Sequence, residues 1–367
     1  MYKVTRDSWK VQKESTYKKI RNAMERCACC ILPLTYPGIT FDEQGICSFC
    51  RNFKKTELDK RKKRALIPLV EKARLNRGKY QAIVPISGGK DSSYVLYVMR
   101  RLYGLKVLAI NYNNGFRSKA AEINLDTLTN QLAVDFISIK PNWNLMKKLY
   151  AAFVRITGEF CTVCNAMGYL TIISFILGVQ KEISARLLVV GGWSKDLEAM
   201  PDVYSFDFRY FYDIVSEAGL TEELRRSSLV SEECLDLLIS MPDPRLTDTD
   251  ADFPIEWIML PEYMSWDINQ ISRILKKETG WIVPSEAENE THFDCTMYPV
   301  AKYFERRKYG FSQSTVSLFT ERTAGDIAGR EHFEEFAFPR TVDVQRRIDS
   351  SQKCYQYNYS FKNGCTS

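Results

Sequence analysis

The stretch "VPISGGKDSSYVL", residues 84–96, combines two glycines with one lysine and three serines. Glycines let a backbone approach a phosphate closely, and the N–H groups at a helix start point at an anion with the favourable end of the helix dipole. Serine hydroxyls add donors, and the lysine adds a positive charge. The stretch therefore predicts an anion-binding loop made of Ser87, Gly88, Gly89, Lys90, Asp91, Ser92 and Ser93.

The spacing of this loop excludes a Walker A motif, G-x-x-x-x-G-K-S/T. Val84 stands where that motif needs its first glycine, and Asp91 follows the lysine in place of Ser or Thr. What remains is a strand, a turn of small residues and a helix, whose predicted buried face is Val95, Val98, Met99 and Leu102. The alternative is an ordinary glycine-rich turn before a helix capped by Asp91, but the composition favours anion binding.

Eleven cysteines form the second conspicuous pattern. Cys27 and Cys30 make one Cys-x2-Cys pair, and Cys47 and Cys50 make another at a spacing typical of tetrahedral zinc. Four thiolates leave no open coordination position, which predicts a structural role, although Cys29 offers a competing ligand. A further pair, Cys161 and Cys164, fits half of a second metal site, a redox pair or two buried thiols beside a helix start.

Around these motifs, short apolar segments alternate with longer helical ones. The pattern predicts strands at 81–86, 106–112, 135–139 and 186–192, and hence a doubly wound parallel sheet of the α/β class. After residue 215 the strands largely stop and helical patterns dominate. Because such sheets bind ligands at the carboxyl ends of their strands, Asn111, Gly191 and Gly192 join the candidate site, with simple strand-end turns as the alternative.

These patterns divide the chain into five predicted parts: a lead-in at 1–26, a zinc module at 27–52, an α/β domain at 53–215, a mainly helical substrate or partner domain at 216–335, and a tail at 336–367. The net charge of +6 is too small to predict nucleic-acid binding. With no 18-residue apolar run and no apolar N-terminal signal, we expect a soluble, cytoplasmic protein that does not engage a membrane.

The segment "SGGKDS" after a first strand resembles the PP-loop motif of the N-type ATP pyrophosphatases. The resemblance implies the adenine nucleotide α-hydrolase-like fold and ATP with Mg²⁺ as cofactor. It implies that ATP is cleaved between its α and β phosphates, that AMP is transferred to a carbonyl oxygen of the substrate, and that a nucleophile then displaces AMP. Residues 87–92 would hold the pyrophosphate, with Lys90 and Asp91 taking part in the chemistry.

Three longer segments resemble the N-acetyl sugar amidotransferases: "RCACCILPLTYPGITFDEQGICSFCRNF", "LPEYMSWDINQISRILKKETGW" and the stretch beginning "ETHFDCTMYPV". That family turns the N-acetyl group of a sugar, often nucleotide-linked, into an acetamidino group in bacterial surface-polysaccharide (O-antigen lipopolysaccharide) and nonulosonic-acid biosynthesis. The resemblance implies ammonia delivery by partner subunits similar to the glutaminase and cyclase of histidine biosynthesis. The chain itself, with two histidines, shows no Cys-His-Glu glutaminase domain.

The aromatic and charged residues of the C-terminal third are candidates for a wall that faces the sugar: Tyr263, Trp266, His292, Asp294 and Arg306. Each is also compatible with ordinary packing. His292 with Asp294 is the best candidate for acid–base or orienting work, since histidine titrates near neutral pH.

A competing hypothesis is sulfur transfer. Some PP-loop tRNA thiolases pair the loop with a later Cys-x2-Cys and a third cysteine, which hold an iron–sulfur cluster or relay persulfide sulfur. Cys161 and Cys164, with Cys234 or Cys295, would suit that arrangement. A third hypothesis, a nucleotide sensor without catalysis, is disfavoured by the intact loop.

Overall fold

The computed structural model describes residues 25–30, 32–52, 60–183, 185–191, 208–227, 229–240, 255–284, 292–309 and 311, with the backbone alone at 60–64 and 180–183. The described residues fall into two compact units. One holds the described residues between 60 and 301, and the other holds those between 25 and 52 and from 302 to 311.

The elements follow one another along the chain in this order: α1 (Ser48–Asn52), α2 (Lys60–Arg74), β1 (Ala82–Pro85), α3 (Lys90–Tyr97), β2 (Val107–Tyr112), α4 (Lys119–Gln131), β3 (Asp135–Ile139), α5 (Trp143–Ile156), α6 (Cys161–Ile183), β4 (Leu187–Val190), α7 (Phe208–Glu217), α8 (Thr221–Arg225), α9 (Glu232–Ser240), β5 (Glu256–Met259), α10 (Ile268–Thr279) and α11 (Tyr298–Tyr309). A 3₁₀ turn, Leu260–Glu262, follows β5.

The larger unit is built on one five-stranded sheet with the order β3-β2-β1-β4-β5. Every pairing is parallel; Ala82 of β1, for example, aligns with Val107 of β2 on one side and with Leu187 of β4 on the other. The doubly wound parallel sheet expected from the sequence is therefore confirmed. The strand order reverses between β1 and β4, and in such sheets the crevice at the carboxyl ends beside that reversal is the usual ligand site.

Helices cover both faces of the sheet, because successive strand residues point in opposite directions. Ile83 of β1 and Leu108 of β2 face a core that contains α5, α6, α7 and α9. Val84 and Ala109 face a second core, which contains α2, α3, α4 and α10. Strands β1, β2 and β4 are buried on both faces, which explains why their sequences are largely continuous apolar runs, whereas the edge strand β3 exposes Asp135 and Ser138.

The helix after the glycine loop differs from the predicted pattern at its end. It continues past Tyr97 as a π-helical turn, Val98–Leu102. Val95, Val98 and Met99 are fully buried as predicted, but Leu102 is 57% exposed. The wider π-helical turn changes the angular position of its last residue, so the i, i+3, i+4, i+7 spacing no longer places Leu102 on the buried face.

The sequence analysis missed strand β5. Its four residues lie at the sheet edge and pair with β4, with Leu187 aligned to Glu256 and Val190 to Met259. The predicted boundary between 215 and 216 falls inside helix α7, and β5 returns the chain to the sheet of the preceding residues. The boundaries after 52 and 335 adjoin residues outside the described ranges and stay predictions.

Helix α6 contains one stretch, Cys161–Val179, that is long and apolar enough to cross a membrane, with a mean hydropathy of 1.7. The sequence analysis judged this region too short for that. Composition alone does not separate a membrane span from a core helix. In the folded chain Val163, Met167 and Leu170 are fully buried in the core below the sheet, which is the packing of a core helix.

The smaller unit contains the cysteine module and the end of α11. Tyr36 packs against Phe49 and Phe311, with ring centroids 5.5 and 5.0 Å apart respectively. The Thr35 hydroxyl donates to the carbonyl of Tyr309 at 2.9 Å. The small cysteine module gains an apolar contact in this way, which a segment of this size needs because it has few core residues of its own.

The central strand position of Ile83 yields a first prediction. Its side chain is fully buried, so Ile83→Ala should lower the free energy of unfolding by about 2–5 kcal/mol. Ile123→Ala, at a residue that is 50% exposed on α4, should change it by less than about 0.5 kcal/mol. Urea unfolding of both variants measures the difference, and equal losses would contradict the described core.

Candidate functional site

The predicted anion-binding loop lies at the carboxyl end of β1, beside the reversal of the strand order. Gly88 has a φ of +83°, a conformation that side chains disfavour. A Cβ atom built on Gly88 would lie 2.5 Å from the backbone oxygen of Ala121 at the start of α4. Both the dihedral angle and the close backbone approach require glycine at this position.

Two buried donors hold the carbonyl group of Gly88. Asn124 Nδ2 on α4 donates to the Gly88 oxygen at 3.0 Å, and Trp281 Nε1, just after α10, donates to it at 3.0 Å. Asn124 also exchanges two hydrogen bonds with the backbone of Ile282. The sequence analysis named neither residue, because no local pattern marks donors that lie 36 and 193 positions from the loop.

The hydroxyl groups of Ser87 and Ser92 form hydrogen bonds within the loop. The Ser87 backbone N–H donates to Ser92 Oγ at 3.0 Å, the two hydroxyls are 3.1 Å apart, and the Gly89 N–H donates to Ser87 Oγ at 3.2 Å. Gly89 is the N-cap residue of α3, and no side chain caps that helix. Its first N–H groups therefore keep the capacity to bind an anion.

Ser93 differs from the other two serines. Its side chain is fully buried, and its hydroxyl has no hydrogen-bond partner among the described residues. A direct contact from Ser93 to an anion stays a prediction.

Lys90 and Asp91 begin helix α3 at the loop. The Lys90 side chain is only 9% exposed, and its ammonium lies 3.7 Å from Asp91 Oδ1. That same oxygen accepts a hydrogen bond from Trp266 Nε1 at 2.9 Å. The indole of Trp266 packs edge-on against Tyr94, with ring centroids 5.3 Å apart. Trp266, predicted as a sugar contact, thus supports the loop carboxylate.

Asn111 is present at the site, but its amide is engaged within the protein. Asn111 Nδ2 donates to the carbonyl of Ile86 at 2.6 Å, and its oxygen accepts from Ser138 Oγ at 3.2 Å and from Arg117. Asn111 therefore braces the end of β1. Arg117, which the sequence analysis did not name, also donates to Ser138 Oγ at 3.1 Å, and burial lowers the pKa of its guanidinium.

The glycine at the end of β4 permits a close approach to the loop helix. A Cβ atom on Gly191 would lie 2.9 Å from the backbone oxygen of Asp91. Gly191 is thus a close neighbour of the loop helix, and its part in nucleotide binding stays a prediction. Gly192 lies outside the described residues.

Residues 292–298 lie along the segment that joins β2 to α4. The Ser118 N–H donates to the carbonyl of Asp294 at 3.0 Å, and the Thr296 N–H donates to the carbonyl of Phe116 at 2.8 Å. These bonds place the Asp294 carboxylate beside Gly89, where a Cβ atom would meet Asp294 Oδ2 at 2.9 Å. His292 Nδ1 is 4.0 Å from Asp294 Oδ1, and its ring lies 4.6 Å from that of Tyr298.

The other two predicted sugar contacts are Tyr263 and Arg306. Tyr263 packs partly buried against the second core, and Arg306 lies on the part of α11 that belongs to the smaller unit.

The pair Cys161 and Cys164 occupies the first turn of α6. Asn114 Nδ2 contacts both Cys164 Sγ at 3.6 Å and Cys295 Sγ at 3.7 Å, and Tyr150 Oη lies 2.9 Å from Cys164 Sγ. Cys234 is elsewhere: it is buried on α9, where its thiol donates to the carbonyl of Leu170 at 3.8 Å. The fold therefore brings Cys295, rather than Cys234, to Cys164.

Burial controls the protonation of these thiols. It raises the pKa of Cys164, and it raises that of Cys295 to about 12. Burial also raises the pKa of Tyr150 well above its ordinary value. The free thiols are therefore neutral at pH 7 and weakly nucleophilic.

The cysteine module forms a closed thiol cluster. The sulfurs of Cys27, Cys30, Cys47 and Cys50 all lie within 4.8 Å of one another. The Cys27–Cys50 and Cys30–Cys47 sulfur distances are 3.8 and 3.6 Å. A tetrahedral zinc with Zn–S bonds of about 2.3 Å needs sulfurs roughly 3.8 Å apart, so the cluster fits zinc. Cys29 is not a member of this cluster.

Backbone N–H groups support the cluster. Those of Cys29, Cys30 and Cys47 donate to Cys27 Sγ at 3.3, 3.4 and 3.2 Å. Such bonds stabilise a thiolate and orient it toward a metal.

No family model matches the chain, and no curated protein matches it. Among solved structures, it is similar to an NH3-dependent NAD synthetase from Campylobacter jejuni, with 13% identity, a TM-score of 0.27, and coverage of 50% of this chain and 92% of the other.

Two further solved structures are similar. One is the U34-tRNA thiolase NcsA from Methanococcus maripaludis with its 4Fe-4S cluster, with 15% identity, a TM-score of 0.33, and coverage of 83% and 89%. The other is an NMN synthetase from Francisella tularensis, with 10% identity, a TM-score of 0.26, and coverage of 74% and 98%. At these identities and TM-scores, none of the three assigns a family or a substrate to this chain.

The geometry of Gly88 yields a second prediction. Gly88→Ala should lower the free energy of unfolding by more than about 3 kcal/mol, because it combines a left-handed dihedral with a backbone clash. Gly104→Ala is the matched control: its φ is +67°, but nothing lies within 4 Å of its Cβ position, so about 1–2 kcal/mol should be lost. Equal losses in denaturant unfolding would show that the Ala121 contact is unimportant.

The cysteine cluster yields a third prediction. The purified protein should hold about one zinc per chain, and Cys30→Ser should abolish it because a thiolate ligand is removed. Cys29→Ser should retain the metal. Elemental analysis of the three proteins measures this, and loss of zinc from Cys29→Ser would contradict the ligand set.

Proposed function

We propose that the chain is an ATP-dependent, AMP-forming enzyme that adenylylates the N-acetyl carbonyl of a nucleotide-linked sugar and replaces its oxygen with nitrogen derived from ammonia. The product is an acetamidino sugar, and AMP and pyrophosphate are released. The observation that carries the proposal is the loop from Ser87 to Ser92. It joins a left-handed glycine, an uncapped helix start and a nearly buried lysine at the reversal of the strand order.

The chemistry explains why such a loop is needed. An amide oxygen is a poor leaving group, and transfer of AMP to it creates a good one. The departing pyrophosphate carries several negative charges, and preorganised donors stabilise that charge as it develops. The N–H groups at the start of α3 and the Lys90 ammonium are donors of this kind.

The nature of the substrate and partners rests on the resemblance of the cysteine module and of residues 260–281 and 290–331 to the sugar amidotransferases. Within the proposal, ammonia comes from glutaminase-like and cyclase-like subunits. The four thiols of Cys27, Cys30, Cys47 and Cys50 hold structural zinc, and ATP binds with Mg²⁺. The enzyme acts in the cytoplasm, in the synthesis of bacterial surface polysaccharides such as O-antigen lipopolysaccharide. Nucleic acid and membrane are not partners.

Sulfur transfer is the second candidate function, and one observation favours it. Asn114 contacts the thiols of both Cys164 and Cys295, and Cys161 lies one helical turn from Cys164. Thiolates are the ligands of iron–sulfur clusters, and Cys161, Cys164 and Cys295 would be the candidate ligands of such a group. Zinc alone in the isolated protein would favour amidotransfer, whereas iron with acid-labile sulfide would favour thiolation.

Product analysis separates the two functions. The protein is incubated with ATP and N-acetylated nucleotide sugars, with ammonia or with sulfide as nucleophile. The masses of the products are then measured by mass spectrometry. Release of AMP and pyrophosphate with replacement of oxygen by NH supports the proposal. Replacement by sulfur, or no AMP with any substrate, overturns it.

A fourth prediction concerns Lys90. Lys90→Ala should lower the rate of AMP formation by about 100-fold or more, because the ammonium beside the loop would no longer stabilise the leaving pyrophosphate. Lys276→Ala, at an exposed lysine on α10, should leave the rate unchanged. AMP formation that survives in Lys90→Ala would remove the loop from the mechanism.

A further inference from the structure

The Asp294 carboxylate faces the anion-binding loop at close range. A Cβ atom on Gly89 would lie 2.9 Å from Asp294 Oδ2 and 3.1 Å from its Cγ, so the carboxylate lies against the N-cap of α3. The hydrogen bonds to Ser118 and Phe116 fix the backbone around Asp294. The Asp294 side chain is 17% exposed.

This position raises an electrostatic problem. The loop is suited to anions, yet the Asp294 carboxylate lies beside Gly89, the N-cap residue of α3, so an anion bound at that helix start would meet a like charge. Within the described ranges, the one ionic contact of Asp294 is His292 Nδ1 at 4.0 Å, and His292 is 42% exposed. That contact is too long and too hydrated to neutralise the carboxylate.

Lys90 places a positive charge at the loop. Its side chain is nine-tenths buried, and its ammonium contacts Asp91 Oδ1 at 3.7 Å, which is beyond hydrogen-bond distance. Asp91 Oδ1 already accepts from Trp266. An ammonium held beside the uncapped start of α3 attracts an anion to the loop, and that anion would then approach Asp294.

A divalent cation resolves the conflict. Mg²⁺ is usually bound by one or two carboxylates together with substrate phosphates, and it turns the repulsion between them into a bridge. We propose that Asp294 is a magnesium ligand that joins the metal to the pyrophosphate of ATP in the loop. This inference rests on the proposed function, and it replaces the acid–base role expected for Asp294.

The experiment measures binding, not turnover. Isothermal titration calorimetry of the full chain with inorganic pyrophosphate gives the dissociation constant with and without Mg²⁺. The ratio of the two constants is the magnesium factor, by which the metal tightens pyrophosphate binding. Asp294→Asn should reduce this factor by about 10-fold or more, while binding without metal is unchanged or tighter because repulsion is lost. Asp126→Asn, the same change at an exposed position on α4, should keep the full factor.

A second measurement uses the unaltered protein. Fe²⁺ in place of Mg²⁺, with ascorbate and pyrophosphate, cleaves backbone near the metal, and we expect cuts near residues 87–90 and 292–296. An unchanged magnesium factor in Asp294→Asn, or cuts confined to other segments, would overturn the assignment. If the wild-type chain bound neither ATP nor pyrophosphate under any condition, the proposed function itself would fail.

Discussion

The pair of buried hydrogen bonds to the Gly88 carbonyl is the constraint on which the site depends. A left-handed glycine has several accessible conformations, and a loop of small residues has no side chains with which to select one. Asn124 Nδ2 and Trp281 Nε1 each donate to the Gly88 oxygen at 3.0 Å, and together they fix the orientation of that peptide plane and so select one conformation of the loop. The orientation of that plane sets the direction of the chain into α3, and hence the direction of the first N–H groups of that helix.

The residues that fix and face the loop come from distant parts of the chain. Asn124 lies on α4, Trp281 follows α10, and Asp294 precedes α11. Asn124 joins the first two, because its amide also bonds the backbone of Ile282. The carboxyl edge of the sheet is therefore closed by residues beyond the consecutive βα units. Residues of the later third of the chain therefore help to fix the conformation of the loop.

Sequence reasoning predicted the features that repeat locally. Strands β1, β2 and β4 are largely apolar runs, β3 is a short segment with β-branched and aromatic residues, and the glycine loop and the two cysteine pairs have recognisable spacing, so each was identified. It missed β5, since a four-residue edge strand between helices has no distinctive period. It also interpreted Asn111 as a ligand contact, although the amide is engaged by Ile86, Ser138 and Arg117. Two of these partners, Ile86 and Ser138, lie 25 and 27 positions from Asn111, and hydrogen bonds over such separations have no signature in a single sequence.

The thiols near Asn114 constrain the chemistry of the competing function. A persulfide relay needs thiolates, but burial raises the pKa of Cys164, and that of Cys295 to about 12. At pH 7 almost all of these thiols are protonated, so a free relay would start from a weak nucleophile. Coordination to a metal deprotonates a thiol outright. If this chain transfers sulfur, the energetics therefore favour a metal cluster at Cys161, Cys164 and Cys295 over a relay between free cysteines. Without such a cluster, the same neutral thiols are suited to packing rather than to nucleophilic chemistry.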